Sequence, residues 1–302
     1  VKIVVAGGTG FVGHSLVQNL APVHDLVVLT RNPPQIPPGK SDHLCYVRWD
    51  AATLDDWQSH ICGCDAVINL VGESVASGRW TQRKKDRILS SRVDATRVLV
   101  QSIREASVKP SVLINASAVG YYGNVPEGLV TEDYRKGDGF LAEVCEQWEK
   151  EALQAEKLGV RVVLLRFGIV LGKDGGALSK MSVPFRFGLG GPIGSGRQGV
   201  PWIHYRDAID IIRFVLEQRE ISGPVNGTAP DPANMERFCA VLGHVLQRPS
   251  WLRVPTLLLK LVLGEMSLMF LNGQAAVPAK LTQHGYSFQY PLLENALKDI
   301  FK

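Results

Sequence analysis

The feature that most constrains this chain stands at its start. An apolar run, Lys2-Ile-Val-Val-Ala6, gives way at once to Gly7-Gly8-Thr9-Gly10-Phe11-Val12-Gly13, and helical periodicity follows as far as Leu20. A glycine pattern carries meaning when a strand precedes it and a helix follows. Gly7 permits a tight turn, Gly10 lets backbone approach a ligand, and Gly13 lets the helix pack closely on the strand. The helix start then offers free N–H groups and the positive end of a dipole to an anion. The spacing is GxxGxxG rather than GxGxxG. Such a start points to a parallel α/β sheet that holds a diphosphate at its first helix.

Further apolar runs at 26–30, 66–70, 112–116 and 160–165 are β-branched and lack strict alternation. Strands buried on both faces of a parallel sheet read this way. Helical stretches at 13–20, 82–106 and 141–158 lie between them, so the pattern predicts a doubly wound, Rossmann-like α/β fold. After Gly172 the texture changes. Residues 172–199 are rich in glycine and read as a long loop that binds or covers something. Helices are expected at 207–218, 234–246, 255–263 and 292–301, with a short strand at 286–290. The expected organisation is a dinucleotide-binding domain over 1–172, to which 202–218 returns, and a smaller substrate or lid region over 173–302.

Charge and cysteine content narrow the function classes. Thirty-three basic residues against 29 acidic ones leave a net charge of +4, too small and too scattered for a nucleic-acid surface. The densest basic cluster, Arg83-Lys84-Lys85, is followed by Asp86 and Arg87 and reads as a solvated helix face. Five cysteines, an odd number, argue against a disulfide framework and for a reducing compartment. Cys62 and Cys64 lack a second pair at zinc-site spacing, so no metal is expected. The apolar stretch 256–271 is interrupted by Lys260 and Glu265 and is too short and too charged to span a bilayer. The first strand begins at Val1 or Lys2 and leaves no room for a targeting peptide, as it also would in a processed precursor. The expected location is the cytoplasm, or the plastid stroma for such a precursor.

The second strand ends at Thr30, and Arg31 follows. An NAD site usually carries an acid here for the ribose 2′-hydroxyl. Thr30, Arg31 and Asn32 supply none, and a guanidinium suits a 2′-phosphate. NADP(H) is therefore favoured over NAD.

Together with the glycine turn, Asn69-Leu-Val-Gly72, Ala116-Ser-Ala-Val-Gly-Tyr-Tyr-Gly123, Arg166-Phe-Gly-Ile-Val-Leu-Gly172 and Trp202-Ile-His-Tyr-Arg-Asp207 resemble the extended short-chain dehydrogenase/reductase superfamily. Gly172-Lys-Asp-Gly-Gly-Ala177, Gly190-Gly-Pro-Ile-Gly-Ser-Gly196, Pro201-Trp-Ile-His204, Asn226-Gly-Thr-Ala-Pro230 and Leu271-Asn-Gly-Gln274 look like its atypical epimerase family branch. That branch includes cell-division-inhibitor-like proteins, some associated with plastid division, and the resemblance covers essentially the whole chain. It implies that Thr9, Gly10, Phe11 and Val12 line the pyrophosphate, with Thr30 and Arg31 at the 2′-phosphate. It further implies that Leu70, Val71, Gly72 and Glu73 run along the middle of the cofactor. Arg166, Gly168, Ile169 and Val170 would pass near its nicotinamide end, with Ser117 beside them.

The catalytic pattern of that superfamily breaks here. Its usual Tyr-x-x-x-Lys pair lets a phenol exchange a proton with a carbonyl at neutral pH. Aligning the helix on Trp148-Glu149 places Leu141 at the tyrosine and Cys145 at the lysine, and Arg92 stands where an asparagine is usual. Candidate catalytic residues are therefore Ser117, Cys145, Arg92 and Tyr121, with Tyr122 beside it. Cys145 would titrate near neutrality only if Arg92 or the cofactor stabilised a thiolate; otherwise it is a small buried helix residue. Arg92 reads either as a clamp for a carboxylate or phosphate or as a helix-surface salt bridge. His204 and Asp207 read as ordering a strand-to-helix junction. Two functions remain open. One is an NADP(H)-dependent oxidoreductase or nucleotide-sugar-type epimerase with a rearranged proton relay and an unidentified small-molecule substrate. The other is a catalytically silent NADP(H)-dependent regulator with a division-related protein partner.

Overall fold

Seven strands lie side by side, and every pairing between them is parallel. They are β1 (Lys2–Ala6), β2 (Asp25–Thr30), β3 (Leu44–Arg48), β4 (Ala66–Asn69), β5 (Val112–Ala118), β6 (Arg161–Phe167) and β7 (Gly223–Gly227). The structure, a computed structural model, describes residues 1–34, 43–173 and 175–302. Spatial order is 3-2-1-4-5-6-7. The chain winds outward from β1 to β3 and then returns to β4 on the other side of β1. A crevice therefore opens past the carboxyl ends of β1 and β4, where ligands of such sheets bind.

The central strands are apolar because both faces are covered. Ile3 and Val5 of β1 pack with Leu16, Val17 and Leu20 of α1 (Phe11–Leu20). Val4 and Ala6 face the other way, toward Ala95, Leu99 and Ile103 of α2 (Gln82–Glu105). Each such side chain removed from water contributes about 1.5–3 kcal/mol. The second face also holds α3 (Phe140–Ala152), which packs on α2. The remaining long helices are α4 (Gly176–Arg186), α5 (Tyr205–Glu217), α6 (Met235–Leu246), α7 (Thr256–Leu263) and the C-terminal helix Leu293–Phe301. No helix among the described residues is long and apolar enough to cross a membrane.

Several elements depart from the sequence expectation. β7 reads Gly-Pro-Val-Asn-Gly, the composition of a turn, yet it is a strand because β6 offers it a ready ladder. The expected helix 141–158 ends at Ala152, and a 3-10 turn runs from Leu153 to a left-handed Gly159. The supposed loop 172–199 contains α4, whose Leu178, Ser182 and Phe185 recur at helical spacing and are buried. Residues 286–290 form no strand. Instead the amides of Gln289 and Tyr290 donate to the Asp207 carboxylate at 2.8 and 2.9 Å, so they are spent outside any ladder. The basic cluster on α2 is not simply solvated either: Lys84 is buried and donates to Glu73 and Ser77. By contrast α7, almost wholly apolar, buries none of its residues.

Candidate nucleotide-binding crevice

At the exit of β1 the glycines are fixed by sterics. Gly7 has φ +81°, and a Cβ there would lie 2.8 Å from the Leu70 carbonyl carbon. A Cβ on Gly13 would overlap the Gly7 carbonyl oxygen and sit 2.8 Å from Gly8 Cα. Gly8, which the sequence reading left without a role, is pressed against Val28 and Val17 of the core. Gly10 is exposed and is the N-cap of α1 through backbone alone: its carbonyl accepts from the His14 N–H at 2.8 Å, while its own N–H donates to Gly7 O at 3.0 Å and closes the turn. No side chain caps this helix and no acid lies in its first turn. The first amides of α1 are thus left facing the crevice, the condition for binding an anion. A dinucleotide diphosphate fits this donor set.

A second glycine cluster closes over the same place. Positions for a Cβ on Gly172 and Gly175 fall on the Phe11 ring, each at 2.5 Å, and one on Gly176 would meet the Val170 carbonyl oxygen at 2.9 Å with the Phe11 ring at 3.2 Å. The chain after the short strand Ile169–Leu171 therefore passes directly over the residue that begins α1. On the other side of β1, Thr30 is the buried last residue of β2, and Arg31 beyond it is exposed.

The exit of β4 is braced from within. Asn69 Nδ2 donates to Asn115 Oδ1 at 2.7 Å and to Thr96 Oγ1 at 2.9 Å, and its side-chain Oδ1 accepts from the Val71 N–H at 3.2 Å. This ties the tips of β4 and β5 together and fixes the path of Leu70, Val71, Gly72 and Glu73. The Glu73 carboxylate accepts from Lys84 Nζ at 2.6 Å, which holds its pKa below the usual carboxylate range. Arg92 reaches the same loop and donates to the carbonyls of Glu73 and Ile88, both at 3.0 Å. It makes no ion pair among the described residues, so the salt-bridge reading fails.

Of the catalytic candidates, Ser117 is the penultimate residue of β5 and buried, with its hydroxyl donating to Glu149 Oε1 at 2.6 Å. Glu149 in turn accepts from Arg166 Nε and Nη2, each at 2.8 Å. Arg166 donates onward to the Tyr122 hydroxyl at 3.0 Å, which donates to Asn226 Oδ1 at 2.7 Å. Arg166 was expected near the nicotinamide; its guanidinium is instead committed inside the protein. Burial disfavours its charge, but Glu149 more than offsets this and raises its pKa. The Tyr121 ring lies against the same guanidinium, 3.6 Å from Cζ to ring centre. Burial pushes the Tyr122 phenol up to about 12.

Of its two readings, Cys145 takes that of a small buried helix residue. Burial pushes its thiol up to about 11, the Glu149 charge adds to this, and Arg92 only partly opposes it. The thiol donates to Ala118 O at 3.6 Å and stays protonated at neutral pH. Glu149 was missed, although a signal existed. It lies four residues beyond Cys145 and eight beyond Leu141, on the very helix face searched for tyrosine and lysine. His204 and Asp207 do order the junction: His204 accepts from the Arg206 N–H at 3.2 Å, and Asp207 holds the 286–290 segment.

Sheet order, crevice and bare helix start together define a Rossmann-type protein. Residues 3–226 match the model of the NAD dependent epimerase/dehydratase family, and residues 254–300 match DUF1731, a domain of unknown function. The chain belongs to that epimerase/dehydratase family, among its epimerase family proteins. It is 42% identical over 303 residues to the epimerase family protein YfhF of Bacillus subtilis, covering 99% of this chain and 97% of that one. It is 41% identical to the Arabidopsis thaliana epimerase family protein SDR39U1 homolog, chloroplastic, covering 99% and 86%. The crystal structure of human epimerase family protein SDR39U1 (isoform 2) with NADPH superposes with a TM-score of 0.87 at 34% identity, covering 100% and 99%. A Bacillus cereus UDP-glucuronic acid 4-epimerase, 17% identical with a TM-score of 0.78 and covering 100% and 96%, shares the fold.

Proposed function

We propose that the protein binds NADP(H) across the crevice and acts on a small carbonyl or hydroxyl compound, as an oxidoreductase or a nucleotide-sugar-type epimerase with an altered proton relay. The observation that carries this reading is the uncapped start of α1 above a turn with no room for side chains. The human relative solved with NADPH, and Arg31 where an NAD site would place an acid, favour the phosphorylated cofactor. Thr9, Gly10, Phe11 and Val12 would hold the diphosphate, Thr30 and Arg31 the 2′-phosphate, and Leu70, Val71, Gly72 and Glu73 the middle. Gly168 and Ile169 would border the nicotinamide through backbone. Residues 1–172 with 202–227 would form the cofactor half, and the rest the substrate side.

When bound, the cofactor supplies or accepts a hydride. The chain must then handle the proton without a Tyr-x-x-x-Lys pair. Ser117 holds its proton toward Glu149, so in this geometry its oxygen presents lone pairs rather than a donor. Tyr121, held against the Arg166 cation, is the phenol best placed to exchange a proton. Leu141 and Cys145 at the tyrosine and lysine positions favour the second reading, a silent NADP(H)-dependent regulator. Five free thiols suit a reducing aqueous compartment, cytoplasm or plastid stroma.

Fluorescence titration tests the binding. NADPH should saturate the protein and bind more tightly than NADH, and Arg31→Gln should narrow that preference by about 10- to 100-fold. An unchanged preference would remove Arg31 from the site, and no saturation would end the cofactor reading. A metabolite screen that never alters the redox state of bound cofactor would favour the silent regulator.

A further inference from the structure

Arg92 is a cation whose surroundings are incomplete. One edge of its guanidinium, at Nη1, is pinned by the carbonyls of Glu73 and Ile88. The place a Cβ on Gly72 would take lies 2.8 Å from Cζ, 2.9 Å from Nη2 and 3.2 Å from Nε. Cζ is the nearest of the three, so the Gly72 backbone covers the face of the guanidinium rather than its edge. The Trp148 ring lies 5.1 Å from Cζ. The side chain is thus held in place, while the Nε and Nη2 hydrogens have no acceptor among the described residues. Those two donors are the parallel fork that grips a carboxylate.

Nothing nearby among the described residues neutralises this charge. Glu73, on the loop Arg92 touches, is paired with Lys84. Glu149, one turn beyond Cys145, is paired with Arg166. Cys145 is a neutral thiol. Arg92 is half-buried, and burial lowers its pKa because the nearby charges only partly offset it. A bound anion would supply what the protein does not.

We propose that Arg92 is the receptor for a carboxylate carried by the substrate. The location separates this anion from the cofactor, a step that rests on the cofactor placement proposed above. The anionic parts of NADP(H) are accounted for over β1, at the start of α1, and beyond β2, at Arg31. Arg92 lies on the opposite side, between the exit of β4 and helix α3, where Cys145 meets the end of β5. That side takes the uncharged nicotinamide end and whatever reacts there. A lone guanidinium matches the single charge of a carboxylate, whereas a phosphate dianion calls for more than one cation.

Isothermal titration calorimetry with acetate, pyruvate, lactate, malonate and succinate, on free and NADPH-loaded protein, tests the site. At least one of these acids should bind saturably and its amide should not. Arg92→Gln should weaken that acid by about 10- to 100-fold, clearly more than it weakens NADPH, and Arg92→Lys should recover part of the loss. Gly72→Ala, which crowds the guanidinium face, should also weaken it; thermal melts confirm that each variant folds. The proposal is overturned if no acid binds, or if Arg92→Gln binds the acid as well as the parent does. It is also overturned if Arg92→Gln loses NADPH in the same proportion, which would make a cofactor phosphate the occupant. Carboxylate binding that depends on Arg92 in a protein unable to bind NADPH would uphold the receptor and defeat the cofactor reading instead.

Discussion

Glu149 and Arg166 are both buried, and each is tolerable there only because the other is present. Their paired hydrogen bonds, with Ser117 and Tyr122 at either end, use the charged groups on both sides. Removing one partner leaves an uncompensated charge, which costs about 3–5 kcal/mol, whereas replacing both by apolar groups of similar size is often close to neutral. Arg166→Leu should therefore lower the free energy of urea unfolding by about 3–5 kcal/mol, and adding Glu149→Leu should recover much of the loss. If the double variant is no better than the single, the pair is not the reason Arg166 is buried. The sequence marked Arg166 by its place at the carboxyl end of a strand, and the fold pairs its guanidinium with Glu149. A basic residue at the carboxyl end of a strand resembles a ligand contact until its partner, seventeen positions away on a helix, is seen.

Among the elements, the turn joining β1 to α1 depends on local sterics, which is why it could be read directly from the residues. Gly13 lies so close to the Gly7 carbonyl that a methyl group must push the helix away from the strand. Gly13→Ala should cost at least about 1–3 kcal/mol by overpacking. It should also abolish measurable NADPH binding, because the amides of α1 would shift with the helix. Retained affinity in a destabilised variant would show that the diphosphate sits elsewhere. The glycines at 172 and 175 looked like loop composition, and their real constraint, the Phe11 ring, lies more than 150 residues earlier. Helix α4 was hidden for a related reason: its seryl, glycyl and prolyl residues are poor helix formers, and burial of Leu178 and Phe185 overrides that propensity.

At the scale of the whole molecule, His204 joins the two ends of the chain's second half. It begins α5, stacks on Tyr290 at 3.8 Å between ring centres, and faces Asp299 of the C-terminal helix at 3.4 Å. Burial lowers its pKa to about 4, with Asp299 opposing and Arg206 adding to the shift. Since the folded value lies below the unfolded one, the unfolded chain takes up the proton first. Stability is then fully present above about pH 6.5 and falls as the pH drops toward 4, by about 3 kcal/mol in all. His204→Gln should flatten this part of the stability–pH curve, as followed by urea unfolding between pH 4 and 7. A variant with the same slope as the parent would assign the acid sensitivity to another group.

The amino-acid order alone pointed to the parallel sheet and its first glycine turn, because the strand runs and the turn's sterics depend on neighbours within a few residues. It also revealed that the usual tyrosine and lysine are missing, since that is a matter of spacing on one helix. Only tertiary structure decided that Cys145 stays a thiol, that Arg166 belongs to Glu149, and that Arg92 keeps two donors without a partner among the described residues. Those outcomes are set by burial and by contacts between distant segments, where the cost of an unpaired charge depends on what the fold brings beside it.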